Sequence, residues 1–380
     1  VVDKGILQVD AHDIALLTEL GVRVVRFEAR LDIHQTWDAA ALAPYNTFID
    51  MLTAAHIKPI VLLGNDIVFR SSSAAWNSGA RELTPPGSGT NPFIDQFVLA
   101  ARAVVVGLPK VRTWEIWNEP NNFAGQSPAT GRPGGTYIYP SLYAILLHGV
   151  FAAIKGIAQD HKVLFGAPFG HNIGGTRTED TVGVTYLNQV FSRLTNVTPV
   201  VWPFDALAQH YYLDQDGMTD PAHLLFAVDR LESTIRTHDI PAAKRVVHIT
   251  EVGWTCHRSS DEETQAKNLD QMMIVFSTRP IIKTICWFLL RDTVGNQPYG
   301  LRTGIHGAPP HDQARQAYHH FQRWPRAGTV YVVQPGDRLS TIAKHFGIAD
   351  FMEIYNANRA VIGPDPNTIL PGEHLIILLP

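Results

Sequence analysis

Apolar residues along this chain recur with two rhythms that take turns. Tyr45, Phe48, Ile49 and Leu52 stand at i, i+3, i+4 and i+7, the spacing of one helix face, and the strand-like run Lys58 to Leu63 follows. The exchange repeats on both sides. Asp10 can cap a helix carrying Ile14, Leu17 and Leu20, which Gly21 stops, ahead of a strand from Val22 to Phe27 that carries Arg26 near its end. Phe93, Phe97, Ala100 and Val104 mark a helix that leads into Val111-Arg-Thr-Trp-Glu-Ile-Trp-Asn-Glu-Pro120. Trp114, Ile116 and Trp117 favour a buried strand there, and Pro120, which cannot donate to a ladder, ends it. Further strands are expected at Lys162 to Gly166, Phe204 to Gln209, Arg245 to Glu251 and Ile282 to Leu289. Helices are clearest at Leu224 to His238 and at Thr264 to Ser277, where Ala266, Leu269, Met273 and Phe276 keep helical spacing.

Strands that alternate with helices imply a parallel sheet covered on its outside. The long irregular segments 64–91, 119–140, 167–180, 210–220 and 289–312 all follow strands, which suits a closed barrel with one elaborated face. The expectation for residues 1–324 is therefore an α/β fold, a (β/α)8 TIM barrel. Seven strands can be counted; Gly5 to Val9 is a poor candidate for the eighth, so the first strand is expected upstream. The pattern changes after Trp324. Residues 325–328 read as a linker, and 329–380 as a compact βααβ module, with a helix from Arg338 to Phe346 ended by Gly347, another around Phe351 to Asn356, and a closing strand within Leu370 to Ile377.

Composition narrows the function classes. With 380 residues, 45% of them hydrophobic, the chain can bury a large core and more than one domain is expected. A formal net charge of −4 without a dense Lys/Arg patch gives no footprint for nucleic acid, so an uncharged partner fits better. No apolar run approaches the roughly 20 residues of a membrane span. No charged segment followed by an apolar one opens the chain at Val1, so no signal peptide is expected in it. Seventeen histidines invite a metal reading, yet no His-Glu-x-x-His or cysteine-pair motif occurs, and no metal or other cofactor is expected. Asp214-Gln-Asp216-Gly217 lacks most of a calcium loop, Gly87-Ser-Gly89 is too short for a phosphate loop, and Asn196-Val-Thr198 is an isolated sequon. Cys256 and Cys286 could pair, although Cys286 reads as an ordinary buried thiol.

The chemistry concentrates at strand ends. Glu119 closes one apolar run and Glu251 closes another, Arg245-Val-Val-His-Ile-Thr-Glu251, and barrel enzymes assemble their sites from the C-terminal ends of parallel strands. Trp117-Asn118-Glu119-Pro120 together with Glu251, Arg26 on an early strand, His210 and Tyr212 in His210-Tyr211-Tyr212, and Trp287 on the last strand resembles the retaining glycoside hydrolases of clan A over most of residues 1–325. Asn65 stands where several of those families place a histidine. The C-terminal module resembles the LysM domain through Val332-Val333-Gln334-Pro335-Gly336-Asp337, Leu339-Ser340-Thr341-Ile342-Ala343, Asn356-Ala357-Asn358 and Leu370-Pro371-Gly372. That family implies binding to polymers containing N-acetylglucosamine, such as peptidoglycan or chitin.

The first resemblance implies that Glu119 is the acid/base and Glu251 the nucleophile, with Arg26, Asn118, His210, Tyr212 and Trp287 binding the substrate. Retaining hydrolysis wants two carboxyl groups about 5 Å apart, one protonating the leaving oxygen and one attacking the anomeric carbon. Arg26 is expected to keep Glu251 ionised, while Glu251's charge and partial burial keep Glu119 protonated. Asn118 can bond the sugar 2-hydroxyl, Tyr212 can orient Glu251, and Trp287 offers a face to a sugar ring. Each has a plainer reading: a strand-end glutamate can serve a buried ion pair, His210 can be a satisfied structural histidine, and Trp287 can be core. Glu115 shares parity with Glu119 and reads as structural; His171 and Trp254, in loops after strands, could line subsites. Two functions stand. One is an extracellular or wall-associated retaining β-glycosidase held to a glycan by its LysM module. The other is a wall-binding protein whose barrel has lost turnover.

Overall fold

A computed structural model describes residues 9–31, 35–69, 92–122, 136–169, 183–196, 200–212, 222–292, 298–303, 312–324 and 327–378. In chain order the elements through the barrel are α1 (Ala11–Glu19), β1 (Val24–Glu28), α2 (Ala39–Ala54), β2 (Lys58–Leu63), α3 (Asp66–Phe69), α4 (Pro92–Gly107), β3 (Thr113–Ile116), α5 (Pro140–Ile157), β4 (Lys162–Phe165), α6 (Gly183–Thr195), β5 (Ala206–Tyr211), α7 (Ala222–Thr237), β6 (Val247–Val252), α8 (Glu262–Ser277), β7 (Ile282–Trp287) and α9 (Gln316–Phe321). The module adds β8 (Ala327–Val332), α10 (Leu339–His345), α11 (Phe351–Ala357), α12 (Arg359–Ile362) and β9 (His374–Leu378).

The first seven strands form one sheet in sequential order, every pair parallel, and β7 returns alongside β1. This is a nearly closed (β/α) barrel of the TIM type, as the alternating rhythms predict. All seven expected strands appear, displaced by no more than two residues except that the third ends at Ile116, short of Pro120. Residues 5–8 of the candidate eighth strand lie outside the described residues.

Local chemistry explains the elements. Asp38 caps α2 by accepting from the Ala41 N–H at 2.9 Å, and Tyr45, Phe48, Ile49 and Leu52 are its buried face. Pro140 stands at the first turn of α5, where its missing N–H costs nothing. That helix corrects one expectation: it is long and apolar enough to cross a bilayer by length and composition, but Leu142, Tyr143, Leu146, Leu147, Val150 and Ile154 are buried in the fold. A Cβ at Gly166 would run into the backbone carbonyls of Ile116 and Trp117, so β3 and β4 can approach this closely below the site only because residue 166 is glycine. Inside the barrel Ile60, Leu164, Ala167, Ala206 and Ala208 make an apolar floor with Val24 and Val246. Val24, Arg26 and Glu28 share one face of β1, so Arg26 stands one layer above that floor.

The chain divides into two compact units. The first is built on Val24–Gly253 and Ile281–Leu289; the second on His12–Arg23, Trp254–Pro280 and Leu290–Pro380. In the second, α8 and α9 pack together, and Asp270 accepts from His320 Nδ1 at 2.7 Å, Arg323 Nη2 at 2.7 Å and Trp324 Nε1 at 2.8 Å. Arg323 also donates to the Ala357 carbonyl at 2.8 Å. Strand β8 begins at Ala327, inside the segment expected to be linker, and pairs antiparallel with β9. Helix α12 was not expected; it follows the Asn358 turn after α11. Cys256 and Cys286 are both buried and free, so the conceivable disulfide is not formed.

Candidate active site

Glu119 lies just past β3 on a backbone bent in an uncommon way. Trp117 and Glu119 both hold positive φ, 75° and 45°, a region that costs a non-glycine residue about 1–3 kcal/mol. Neighbouring contacts overdetermine that bend. The Trp117 N–H donates to the Leu63 carbonyl at 2.8 Å, its indole Nε1 donates to the Thr136 carbonyl at 2.8 Å, and its fully buried ring lies 5.5 Å from that of Phe97. Thr136 Oγ1 donates to the Glu119 carbonyl at 2.9 Å. Thr136 thus clamps the glutamate's backbone.

Glu251 reaches the same place from β6. The ladder slips register between Gln209 and His210 on β5, and again between Ile249 and Val252 on β6; such irregularities re-aim side chains at barrel rims. One oxygen each of Glu119 and Glu251 and one nitrogen of His210 all lie within 4.8 Å of one another. Arg26 donates through Nε to Glu115 at 2.6 Å, through Nη1 to Glu251 Oε1, and through Nη2 to Asn118 Oδ1 at 2.9 Å. Tyr212 donates its hydroxyl proton to Glu251 Oε2 at 2.6 Å. His210 Nδ1 meets Glu119 Oε1 at 3.0 Å and lies 3.7 Å from Glu251 Oε2, and Asn122 Nδ2 donates to Glu119 Oε2 at 2.7 Å.

Six of the seven residues expected from the sequence therefore meet in one cluster of hydrogen bonds and ion pairs. Trp287, the seventh, ends β7 in register with Val252, next to Glu251 in the chain. Of the residues expected to bind substrate, Arg26 is 3% exposed and His210 is wholly buried, and Arg26 donates to Glu115, Glu251 and Asn118. Asn122, Thr136 and Thr250 escaped sequence reasoning. Of the three, Asn122 left a signal, a polar residue two places beyond Pro120. Glu115 is the buried centre of the network: Arg26, Thr250 Oγ1 at 3.1 Å and the Ala167 N–H at 3.3 Å all donate to it. His171 and Asp214 to Gly217, noted in the sequence, lie outside the described residues, as do Gly87 to Gly89 and most of the sequon at Asn196.

The electrostatics of the two glutamates differ. Burial alone would push the Glu251 carboxyl up, but the charges of His210 and Arg26 and the hydrogen bonds from Tyr212 and Arg26 outweigh it and hold the group below the usual carboxylate range. Burial likewise works against the Arg26 charge, and Glu115 and Glu251 more than compensate, holding it above the ordinary arginine range. Among the described residues Glu119 has no cationic partner other than His210. The cluster Glu119, His210 and Glu251 also has the donor set of a small metal site, but Arg26 and Tyr212 already occupy both oxygens of Glu251, so an ion would displace those bonds.

The barrel is similar in shape to solved structures of sugar-cleaving enzymes. A β-glucosidase from Thermotoga maritima, solved with glucoimidazole, superposes with a TM-score of 0.54 at 14% identity, covering 82% of this chain and 84% of that one. A family 39 glycoside hydrolase from Bacteroides cellulosilyticus WH2 gives 0.55 at 17% identity over 81% of this chain and 59% of its own. An endo-1,4-β-mannanase from Rhizomucor miehei gives 0.52 at 14% identity, with 81% and 87% covered. The fold is the TIM barrel that these three enzymes share. Residues 331–378 match the LysM domain model, so the chain ends in a LysM glycan-binding domain. A search of curated protein sequences found no match.

Proposed function

We propose that this chain is a retaining β-glycoside hydrolase, working outside the cell or at its wall, that its LysM domain holds to a glycan containing N-acetylglucosamine. The observation that carries the proposal is the convergence of Glu119 and Glu251 from strands β3 and β6, which brings one carboxylate oxygen of each within 4.8 Å of the other at one end of the barrel. Retaining enzymes keep their carboxyl groups about 5–5.5 Å apart, whereas inverting ones leave about 6.5–9.5 Å for a water.

Glu251, held ionised by Arg26 and Tyr212, attacks the anomeric carbon, while Glu119 gives its proton to the departing oxygen. A covalent glycosyl-enzyme results. Glu119, now a carboxylate, takes a proton from water, which attacks the same carbon and releases Glu251. His210 holds Glu119 in place throughout, with Asn122 on the other oxygen. Asn118 gives its carbonyl oxygen to Arg26, leaving Nδ2 to donate to the sugar 2-hydroxyl. Trp287 offers its ring to the sugar. The LysM domain leaves this chemistry unchanged and raises the local concentration of substrate. The relatives in shape act, by their names, on β-glucosides and mannan; which β-linked sugar this barrel takes is set by its loops.

The test is a panel of aryl β-glycosides with good and poor leaving groups, with the first anomer released followed by NMR. Retention is expected. Glu251→Gln should lower turnover on the order of 10⁴-fold with every leaving group. Glu119→Gln should lose about 10²- to 10⁴-fold with poor leaving groups, and much less where no proton is needed. Inversion, or full turnover by Glu251→Gln, would sink the proposal, and no release from any member would leave a wall-binding protein.

A further inference from the structure

Beside the catalytic loop the barrel carries a second concavity, of about 560 Å³. Its size falls within the roughly 300–1,000 Å³ of small-molecule sites. One wall is a single face of α6. Thr185, Asn188, Gln189, Ser192, Arg193 and Asn196 all line the cleft, and they recur at i, i+3, i+4, i+7, i+8 and i+11. The opposite face of the helix, with Val184, Leu187, Val190 and Leu194, is buried in the core. Along this face Thr185, Asn188 and Gln189 are half-buried, while Ser192, Arg193 and Asn196 are exposed. Facing it is the segment after Glu119, which brings Tyr137 and Tyr139 with their rings 5.4 Å apart and nearly perpendicular.

The lining is built rather than incidental. His238 Nε2 meets Asn188 Oδ1 at 2.8 Å, which fixes that amide, and His238 in turn stands edge-on to Phe191 at 5.3 Å. The tyrosine segment is tied to the catalytic loop, because the Ile138 N–H donates to the Pro120 carbonyl at 2.9 Å and Tyr186 donates to the Ile138 carbonyl at 2.8 Å. Two tyrosines, three side-chain amides, hydroxyls and one arginine, without a carboxylate, make a surface suited to an uncharged polyhydroxylated ligand. Tyr139, half-buried where Tyr137 is buried, offers a ring to the ligand's apolar face, and amides pair with its hydroxyls.

We propose that this cleft is a second carbohydrate-binding site, holding several consecutive sugars of a β-linked glycan apart from the two glutamates. The proposal rests on the reading of the chain as a glycan-processing protein, and its test reads binding rather than turnover. Full-length protein would be mixed with β-1,4-linked hexamers of glucose, mannose, xylose and N-acetylglucosamine, one at a time, and mapped by hydrogen exchange. At least one hexamer should protect peptides covering 136–141 and 185–196. Gln189→Ala with Arg193→Ala, both on the helix surface, should abolish that protection and weaken the hexamer's binding at the cleft at least about tenfold, or roughly 1.4 kcal/mol. Turnover of short aryl glycosides should stay unchanged. Protection confined to the barrel mouth or to residues 331–378 would overturn the second site and leave the proposed function standing. No protection anywhere, with no turnover of the aryl glycosides, would overturn both.

Discussion

The two glutamates and the LysM domain are built on opposite principles. The barrel buries Arg26, Glu115, His210 and Glu251 together, so charge is packed where apolar residues would be cheaper. The LysM domain has an apolar core of Val333, Leu339, Ile342, Ile348, Ile354, Leu375 and Ile377, and its fully committed buried polar group is Asn358. That amide donates to the Ile354 carbonyl at 2.7 Å and the Ile376 carbonyl at 2.8 Å and accepts from the Ile376 N–H at 2.6 Å, which stitches α11 to β9. On the proposed reading, the barrel makes and breaks bonds and must keep charges poised against one another. A region that only holds a ligand can use its polar groups to hold itself. The first arrangement is exposed to any loss of balance, and the second is robust.

Unbalancing the barrel should give the largest effect. Arg26→Ala leaves Glu115 and Glu251 facing each other without their shared cation, and breaking a buried pair in this way costs about 3–5 kcal/mol. Chemical denaturation should show that loss, and turnover should fall with it; stability within 1 kcal/mol of the wild type would mean the network is not what we describe. In the LysM domain the corresponding change is Asn358→Ala, which strands two carbonyls and an N–H. A loss of about 1–3 kcal/mol is expected there. Hydrogen exchange should locate it at residues 331–378, with turnover of soluble substrates intact. If exchange rose equally through the barrel, the two regions would not be energetically separate.

Acid should give the smallest of these effects and again separate the two regions. Burial pushes His248, on β6, down from 6.5 to about 4, against a smaller opposing pull from Glu115. Because its folded pKa is depressed, His248 contributes stability that is full above pH 6.5 and is lost as pH falls toward 4. Glu251, also held low, contributes stability that is lost at still lower pH, as its carboxylate is protonated. Barrel peptides should therefore lose exchange protection between pH 6.5 and 4, by of order 2 kcal/mol, and His248→Gln should flatten the slope. A variant with the wild-type slope would remove His248 as its cause.

Much of this was open to reading without coordinates. Strand β2 was legible to the residue, because an unbroken apolar run set off by a helix-spaced stripe is a local signal. Glu119 and Glu251 stood out because each closes such a run. Where local signals are weak, extents drifted: β6 runs on to Val252, one residue past Glu251, since a register slip there extends the ladder beyond the last strand-like residue of the pattern.

The chain's order of residues, taken alone, decided the alternation of strands and helices, the outer strands and first two helices of the small module, and the choice of two candidate acids, since each depends on neighbours a few positions apart. The tertiary structure alone decided that Arg26, Glu115 and Thr250 meet, that Asn122 and Thr136 hold Glu119, and that one face of α6 becomes the wall of a cleft. Those contacts join residues on strands and loops far apart in the sequence. Only the register between strands brings them within hydrogen-bonding distance.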